Sequence, residues 1–478
     1  MTKVLSTDLC IIGAGSGGLS IASVAPQMGV DTILVERHLM GGGRLNYGCV
    51  PSKALLSIGR LAKNARGFSK FGIQEGLLKT NVSRAFAQVQ KALSSLEPDY
   101  SIERFEGLGV KILKGTAKFK SANIISVGAL EIRSKKFVIS TGSRPIIPAI
   151  KGLKLVPYLT NETIFREGFF PEHLIIIGGG VSGIEISQAF CNLGAQVSIV
   201  EIGQLLASED KEIVDVIRKK HTDLGINIFE NTIIQQVENS SKGIKVYIKR
   251  EEELRVLSCT HLMVCVGKKP NLDELDLGAA GIKRLDTGIE VDRRLRTSNK
   301  KVFAIGDVLG GPMFSHLAAY QAEVVMKNIL FSIPAKIKYK ALPRVIFSNP
   351  EVAQVGLIER EAKEKFKNIR ILRWPYFEND RAHIEDSTDG FIKVITLPSG
   401  KILGAGVVGK SAGELIQTWV LALDQNLKIG AIAKLIFPYP TFGEISKRVA
   451  GSFFIPNLMG QSTKMLIRII SKIKFWEN

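Results

Sequence analysis

Five residues recur at one fixed distance along this chain. Gly13, Gly15, Gly18, Gly29 and Glu36 are followed, 165 positions later in each case, by Gly178, Gly180, Gly183, Gly194 and Glu201. An apolar run precedes each glycine cluster (LCII, then LIII) and reads as a buried strand. A helix-like segment follows and closes near the fourth glycine. A second strand, TILVE or VSIVE, then ends on the acid. The spacing has a physical reason. In G-x-G-x-x-G the first glycine makes the tight turn, the second lets a pyrophosphate approach the backbone, and the third lets helix and strand pack closely. The phosphate sits on the helix N-terminus and the acid accepts from a ribose. One such run is weak support, but its repetition at a constant offset marks two copies of a βαβ dinucleotide-binding unit. The chain is therefore expected to be α/β. Two units suggest two dinucleotides exchanging electrons.

At 478 residues the chain is too long for one core, and about three domains are expected. No run of 18 apolar residues is present, so no transmembrane helix is expected. The start, MTKVLSTDLCIIGAG, leads straight into a strand and has no signal-peptide layout. The five cysteines (10, 49, 191, 259, 265) are scattered and odd in number, which fits a reducing cytoplasm better than a disulfide framework. No Cys/His cluster has zinc spacing, so no metal site is expected. The formal charge of +19 is spread along the chain without a basic, aromatic-interleaved stripe. This argues against nucleic acid and for a Lys-rich surface around phosphate-bearing cofactors.

The stretch Met40 to Ala54, MGGGRLNYGCVPSKA, carries the chemistry. Its glycines allow close approach of backbone to a ligand. Pro51 suits a first helical turn. A thiol at that helix N-terminus, Cys49, lies in the positive end of the dipole, and Lys53 adds a cation one turn on. A lone cysteine is usually a small core residue; the Gly, Pro and Lys around this one favour a redox role.

The stretch resembles the redox motif of the pyridine nucleotide-disulfide oxidoreductases, G-G-x-C-L-N-x-G-C-x-P-S-K. This is the flavoprotein family of dihydrolipoamide dehydrogenase, glutathione reductase and mercuric reductase. The resemblance implies two Rossmann-like domains and a C-terminal α/β dimerisation domain. Residues 1–148 would bind FAD, completed by 283–340. Residues 149–282 would bind NAD(H), and 341–478 would form the dimerisation domain with a basic amphipathic tail. FVISTGSRP resembles the family's A-T-G segment, with Ser140 in place of Ala. CVGKKPN, with Gly267, resembles the exit from the nicotinamide domain, and VFAIGDVLGGPMFSH resembles the second flavin motif. FAD contacts are thereby implied at Gly13, Gly15, Gly18, Glu36, Lys53, Gly115, Thr141, Gly142, Asp307, Met313 and His316. NAD contacts are implied at Gly178, Gly180, Gly183, Glu185, Glu201 and Gly267. Glu185 would pair with Lys53 beside flavin N5, since a buried lysine needs a partner. Glu201 would bond the NAD 2′-hydroxyl and repel the NADP 2′-phosphate. The following residues, IGQLL, supply no arginine, so NADH is the expected donor.

The chain departs from the family pattern twice. Arg44 stands at the first cysteine of the motif. The acid–base motif H-x-H-P-T-x-x-E reads here from Phe437 to Glu444, with Tyr439 in the place of the catalytic histidine and Glu444 in that of its orienting acid. Tyrosine, with a pKa of about 10, is a poor base but a possible donor. Mercuric reductases share the missing histidine but usually carry a C-terminal cysteine pair, and no cysteine follows Cys265 here. The last residues, STKMLIRIISKIKFWEN, form a basic amphipathic stretch, either packed on a dimer or lying on a membrane surface.

Disulfide exchange needs an attacking thiolate and a resolving partner. Three functions therefore stay open. The first is an NADH-dependent flavin oxidoreductase acting on a quinone, oxygen, metal ion or other small acceptor, with Cys49 as a charge-transfer thiolate stabilised by Arg44. The second is residual dihydrolipoyl dehydrogenase or mercury(II) reductase activity through Cys49. The third is a non-catalytic flavin-binding protein. The expected assembly is a homodimer.

Overall fold

Leu9 to Ile12 are four consecutive side chains exposed by 3% or less, which requires a strand covered on both faces. In the computed structural model, which describes residues 3–73, 80–165 and 170–474, that strand is Lys3–Ile12. On one side it pairs with Thr32–Glu36 and, beyond it, Val110–Lys114; on the other it pairs with Leu130–Ile139. All these pairs are parallel. The far edge of Leu130–Ile139 has two successive partners. Its start pairs antiparallel with Ile124–Val127, and its last three residues pair parallel with Val302–Ala304. Residues near 302 thus complete a sheet begun near residue 3. The crevice at the end of Lys3–Ile12 lies where strand order reverses, the position at which open α/β sheets bind ligands.

His173–Ile177 repeats this arrangement. Gln196–Val200 and Asn227–Phe229 lie on one side and His261–Val264 on the other, all parallel. The two copies differ in their helices. The second runs Val181–Leu193, while the first stops at Ala22 after starting at Ser16. Pro26 follows, and a proline has no N–H for another helical turn. A short 3₁₀ turn, Pro26–Met28, takes its place.

The described chain divides into two packed units, 1–204 with 225–338, and 205–224 with 339–478. In the second, Pro343–Ile346, Glu351–Gly356, Ile402–Gly409, Phe391–Thr396 and Arg370–Pro375 form an antiparallel sheet in that order. Trp419, Tyr376, Ile416, Val407 and Ile445 centre its core. The segment 205–224 lies inside 149–282 in the chain, yet its helix Lys211–Asp223 packs with this second unit. Charge explains the placement. Lys393, 3% exposed, sits on the sheet with Nζ 2.9 Å from both oxygens of Asp210 and 2.5 Å from Glu359. Arg373 bonds both oxygens of Glu212 at 2.6 and 2.7 Å. A buried lysine holds its charge only with such partners, and two of its carboxylates, Asp210 and Glu212 at 3.4 Å, come from 205–224.

The helix Gln461–Lys474 follows; residues 475–478 of the amphipathic stretch lie outside the described residues. Among the described residues, no helix is long and apolar enough to cross a membrane.

Candidate active site

The two repeated acids are held alike. Glu36 accepts the Ala14 amide at 2.6 Å and the His38 amide at 2.7 Å. Glu201 accepts the Gly179 amide at 2.6 Å and the Gly203 amide at 2.9 Å. Tied to backbone through both oxygens, each carboxylate has a set orientation and keeps lone pairs for a ribose.

The glycines match their expected tasks. Gly13 and Gly178 have φ of +104° and +111°, and a Cβ there would lie 2.4 and 2.5 Å from the carbonyl oxygens of Ser140 and Cys265. A Cβ on Gly18 or Gly183 would meet the carbonyl oxygen of Gly13 or Gly178 at 2.0 or 2.1 Å. Gly15 and Gly180 face open space, with nothing within 4 Å of a Cβ. That opening, next to the start of a helix, is the cradle a pyrophosphate requires. Ser140 donates its hydroxyl to the Gly13 carbonyl at 2.8 Å and so braces the first turn.

A cavity of about 330 Å³ opens beside the first unit, lined among others by Glu36, Arg37, Gly115, Thr141, Arg144 and Glu274. Arg37 and Glu274 pair across its wall. Thr141 donates to the Asn271 carbonyl at 2.8 Å, and the Gly142 carbonyl accepts the Asn271 amide at 3.0 Å. Asp307 accepts from Ser143 at 2.6 Å, and Gln321 accepts the neighbouring Gly306 amide at 2.6 Å. Met313 is half-buried, while His316 is exposed and stacks on Phe314. The Gly267 carbonyl accepts the Ile146 amide at 3.0 Å. The chain thus has the open turn, ribose acid and cavity that a dinucleotide such as FAD needs, and a second open turn with its own acid.

The thiol loop packs on the first turn. A Cβ on Gly42 would lie 2.7 Å from the Cα of Gly15. Asn46 donates to the carbonyls of Met40 and Gly42 at 2.9 and 3.0 Å, which holds the loop closed. Cys49 is the first residue of the helix Cys49–Ala65 and is exposed, with Sγ 3.9 Å from Ser315 Oγ. Lys53 stands on the same face, four residues on. Its Nζ lies 2.6 Å from Glu185 Oε2, with Glu185 3% and Lys53 30% exposed. Gly59 makes this pairing possible. A Cβ there would press on the Ala189 carbonyl oxygen at 3.0 Å, so its absence lets Cys49–Ala65 close on Val181–Leu193.

The other four cysteines form no disulfide among the described residues and are buried or half-buried. Burial pushes Cys265 up to about 11 and Cys259 up to about 12, and raises Cys10 and Cys191 as well.

Two expectations need correction. The contacts of Arg44 go to Tyr100, through a hydrogen bond to its hydroxyl and a guanidinium 5.0 Å from its ring centre. No hydrogen bond or ion pair joins Arg44 to Cys49 among the described residues. In the second unit, the Tyr439 hydroxyl donates to Asp380 at 2.9 Å, not to Glu444, which begins the helix Glu444–Ser452. That bond to Asp380 raises the Tyr439 pKa above the ordinary tyrosine value, and the charge of Glu444 adds to it. Asp380, Tyr100, Ser143 and Ser315 were not foreseen. They stand 59, 56, 164 and 266 residues from the groups they touch, so no local pattern announces them.

Residues 7–322 match the pyridine nucleotide-disulphide oxidoreductase family, and residues 342–450 match its dimerisation domain, which points to a homodimer. A dihydrolipoyl dehydrogenase of Geobacillus stearothermophilus is 35% identical over 457 residues, covering 93% of this chain and 96% of that protein. A mercuric reductase of Lysinibacillus sphaericus is 32% identical over 449 residues, covering 93% and 82%. The HOCl-induced flavoprotein disulfide reductase RclA of Escherichia coli superposes with a TM-score of 0.83 at 25% identity, over 93% of this chain and 99% of that one. With both of its domains matched and relatives above 30% identity along nearly the whole length, the chain belongs to the pyridine nucleotide-disulphide oxidoreductase family.

Proposed function

We propose that this chain is an FAD-dependent NADH oxidoreductase that delivers electrons to a small molecule or quinone without an internal dithiol. The observation that carries this reading is the distribution of thiols. Cys49 is exposed, one helical turn from the Lys53–Glu185 pair, while the remaining four are buried or half-buried and held protonated by burial. By the resemblance, Arg44 takes the place of the first motif cysteine, and its engagement with Tyr100 supports a settled role for it there.

Held at the first unit, FAD would supply the redox chemistry that links the nicotinamide to an acceptor. The protein's part is positioning and charge. Gly15 leaves room for a pyrophosphate, Glu36 is aimed for a ribose, and Gly115, Thr141 and Asp307 belong to the same assignment. At the second unit Gly180 and Glu201 do the corresponding work, and Glu201 favours NADH. Glu185 anchors Lys53 and keeps its cation on the helix that bears Cys49. Tyr439 retains its proton against Asp380 and would act as a donor, not a base. This reading assigns FAD to 1–148 with 283–340, NAD(H) to 149–282 and dimerisation to 341–478. A cytoplasmic location and a peripheral membrane contact through the C-terminal helix belong to it.

The exposure of Cys49 favours a second reading, in which a thiol substrate or a soft metal ion meets that sulfur directly. The intact Lys53–Glu185 pair argues against a non-catalytic flavin binder.

An anaerobic NADH titration of the FAD-loaded protein separates these readings. Complete bleaching with two electrons per FAD supports direct delivery. Uptake of a further pair with a long-wavelength thiolate–flavin band would restore a dithiol mechanism. Absence of bleaching would leave only the binding protein.

A further inference from the structure

We infer that the helix Gln461–Lys474 docks this protein on an anionic lipid surface. The inference deepens the membrane contact proposed above and is independent of the redox reading, since lipid binding is measured without turnover.

Helical spacing sorts the residues. Met465, Leu466, Ile469 and Ile470 share one side, in the order i, i+1, i+4, i+5, and Lys464 and Arg468 share the other. Every side chain from 464 to 470 is exposed, and Met465, Leu466, Ile467, Ile469 and Ile470 are 44% to 65% exposed. Amphipathic helices in folded proteins turn such a face inward, so this one is built for a partner. Ile455, Leu458 and Met459, also exposed, extend the apolar patch just before it.

Three observations select the partner. The helix has 14 residues, about 21 Å of length, too short to cross a bilayer but suited to lying in its surface. Its sequence holds Lys464, Arg468, Lys472 and Lys474 and no acid, in a chain of net charge +19. Anionic headgroups complement these cations. The match to the dimerisation domain ends at residue 450, before the helix begins.

The test is sedimentation of the full-length, FAD-loaded protein with phosphatidylcholine vesicles and with vesicles containing about one quarter phosphatidylglycerol. Binding to the anionic vesicles is expected to exceed that to neutral ones by roughly tenfold or more, and to fall when salt is raised to about 0.5 M. K464E/R468E should weaken anionic binding by roughly tenfold or more. Ile469→Glu should abolish it with FAD content, dimer size and NADH bleaching unchanged. Equal binding to both vesicle types, or none to either, would overturn the inference. So would conversion of the dimer to a monomer by Ile469→Glu, which would make the helix a dimer element.

Discussion

Replacing Lys53 by methionine removes one end of a 2.6 Å ion pair whose other end, Glu185, is 3% exposed. At an effective dielectric near 20, the attraction over that distance is about 6 kcal/mol. Desolvation of the carboxylate offsets much of it, and the 30% exposure of Lys53 lets water replace part of the rest. The expected net loss is about 2–3 kcal/mol, below the roughly 3–5 kcal/mol of a fully buried pair. In a unit of this size that lowers its apparent Tm by roughly 3–5 °C. Adding Glu185→Gln removes the stranded charge, so the double variant should regain most of that stability. The functional effect should not return with it. If Lys53 supplies the cation that stabilises negative charge gained in the reaction, anaerobic bleaching by NADH slows by roughly 10–100-fold in both the single and the double variant. Thermal unfolding by circular dichroism and stopped-flow bleaching read the two effects separately. A double variant that recovers both Tm and rate would refute the catalytic role and leave the pair purely structural. An unchanged Lys53→Met protein would refute the energetic argument too.

Four further outcomes follow from the same geometry. Glu201→Ala should reduce the kcat/KM preference for NADH over NADPH by roughly 10–100-fold, the worth of one charged hydrogen bond to the ribose; an unchanged ratio in steady-state assays would exclude Glu201 from donor choice. Arg44→Cys should raise dihydrolipoamide or disulfide turnover if the missing thiol is what limits it, and a flat result in that assay would place the limit elsewhere. In the second unit, burial would raise the Glu359 pKa, but Lys363 and Lys393 outweigh it and hold the carboxyl down at about 2. Its stabilising effect is therefore present above the ordinary carboxylate range and is lost as pH falls towards 2. Urea titrations should show Glu359→Gln less stable than the native protein at pH 7, by about 2 kcal/mol, with the difference shrinking between about pH 4.5 and 2. Tyr439→His should introduce a pH dependence of acceptor turnover near 6–7, where the native enzyme shows none from this position, while leaving NADH bleaching unaltered; a native profile already breaking there would contradict the proton-holding role of Tyr439.

The backbone plan of this chain is legible in its sequence, and the side-chain pairing is not. The 165-residue offset announced two dinucleotide units because each glycine answers a local demand: a positive φ at Gly13 and Gly178, or a carbonyl where a Cβ would sit at Gly18 and Gly183. The buried strands and the terminal acids Glu36 and Glu201 followed from the same local logic. Even there, Pro26 shortened the first helix relative to its copy. The pairing of Lys53 with Glu185 was expected from resemblance alone; in physical terms it exists because Gly59 lets two helices meet across 132 residues of chain. Nothing local told that Tyr439 would bond Asp380 and not Glu444, that Arg44 would turn to Tyr100, or that residues 205–224 would join Lys393 in the second unit. Turns and strands are set by forces within a few residues of each other. Buried charges choose partners only after the elements that carry them have packed, and that choice belongs to the tertiary structure.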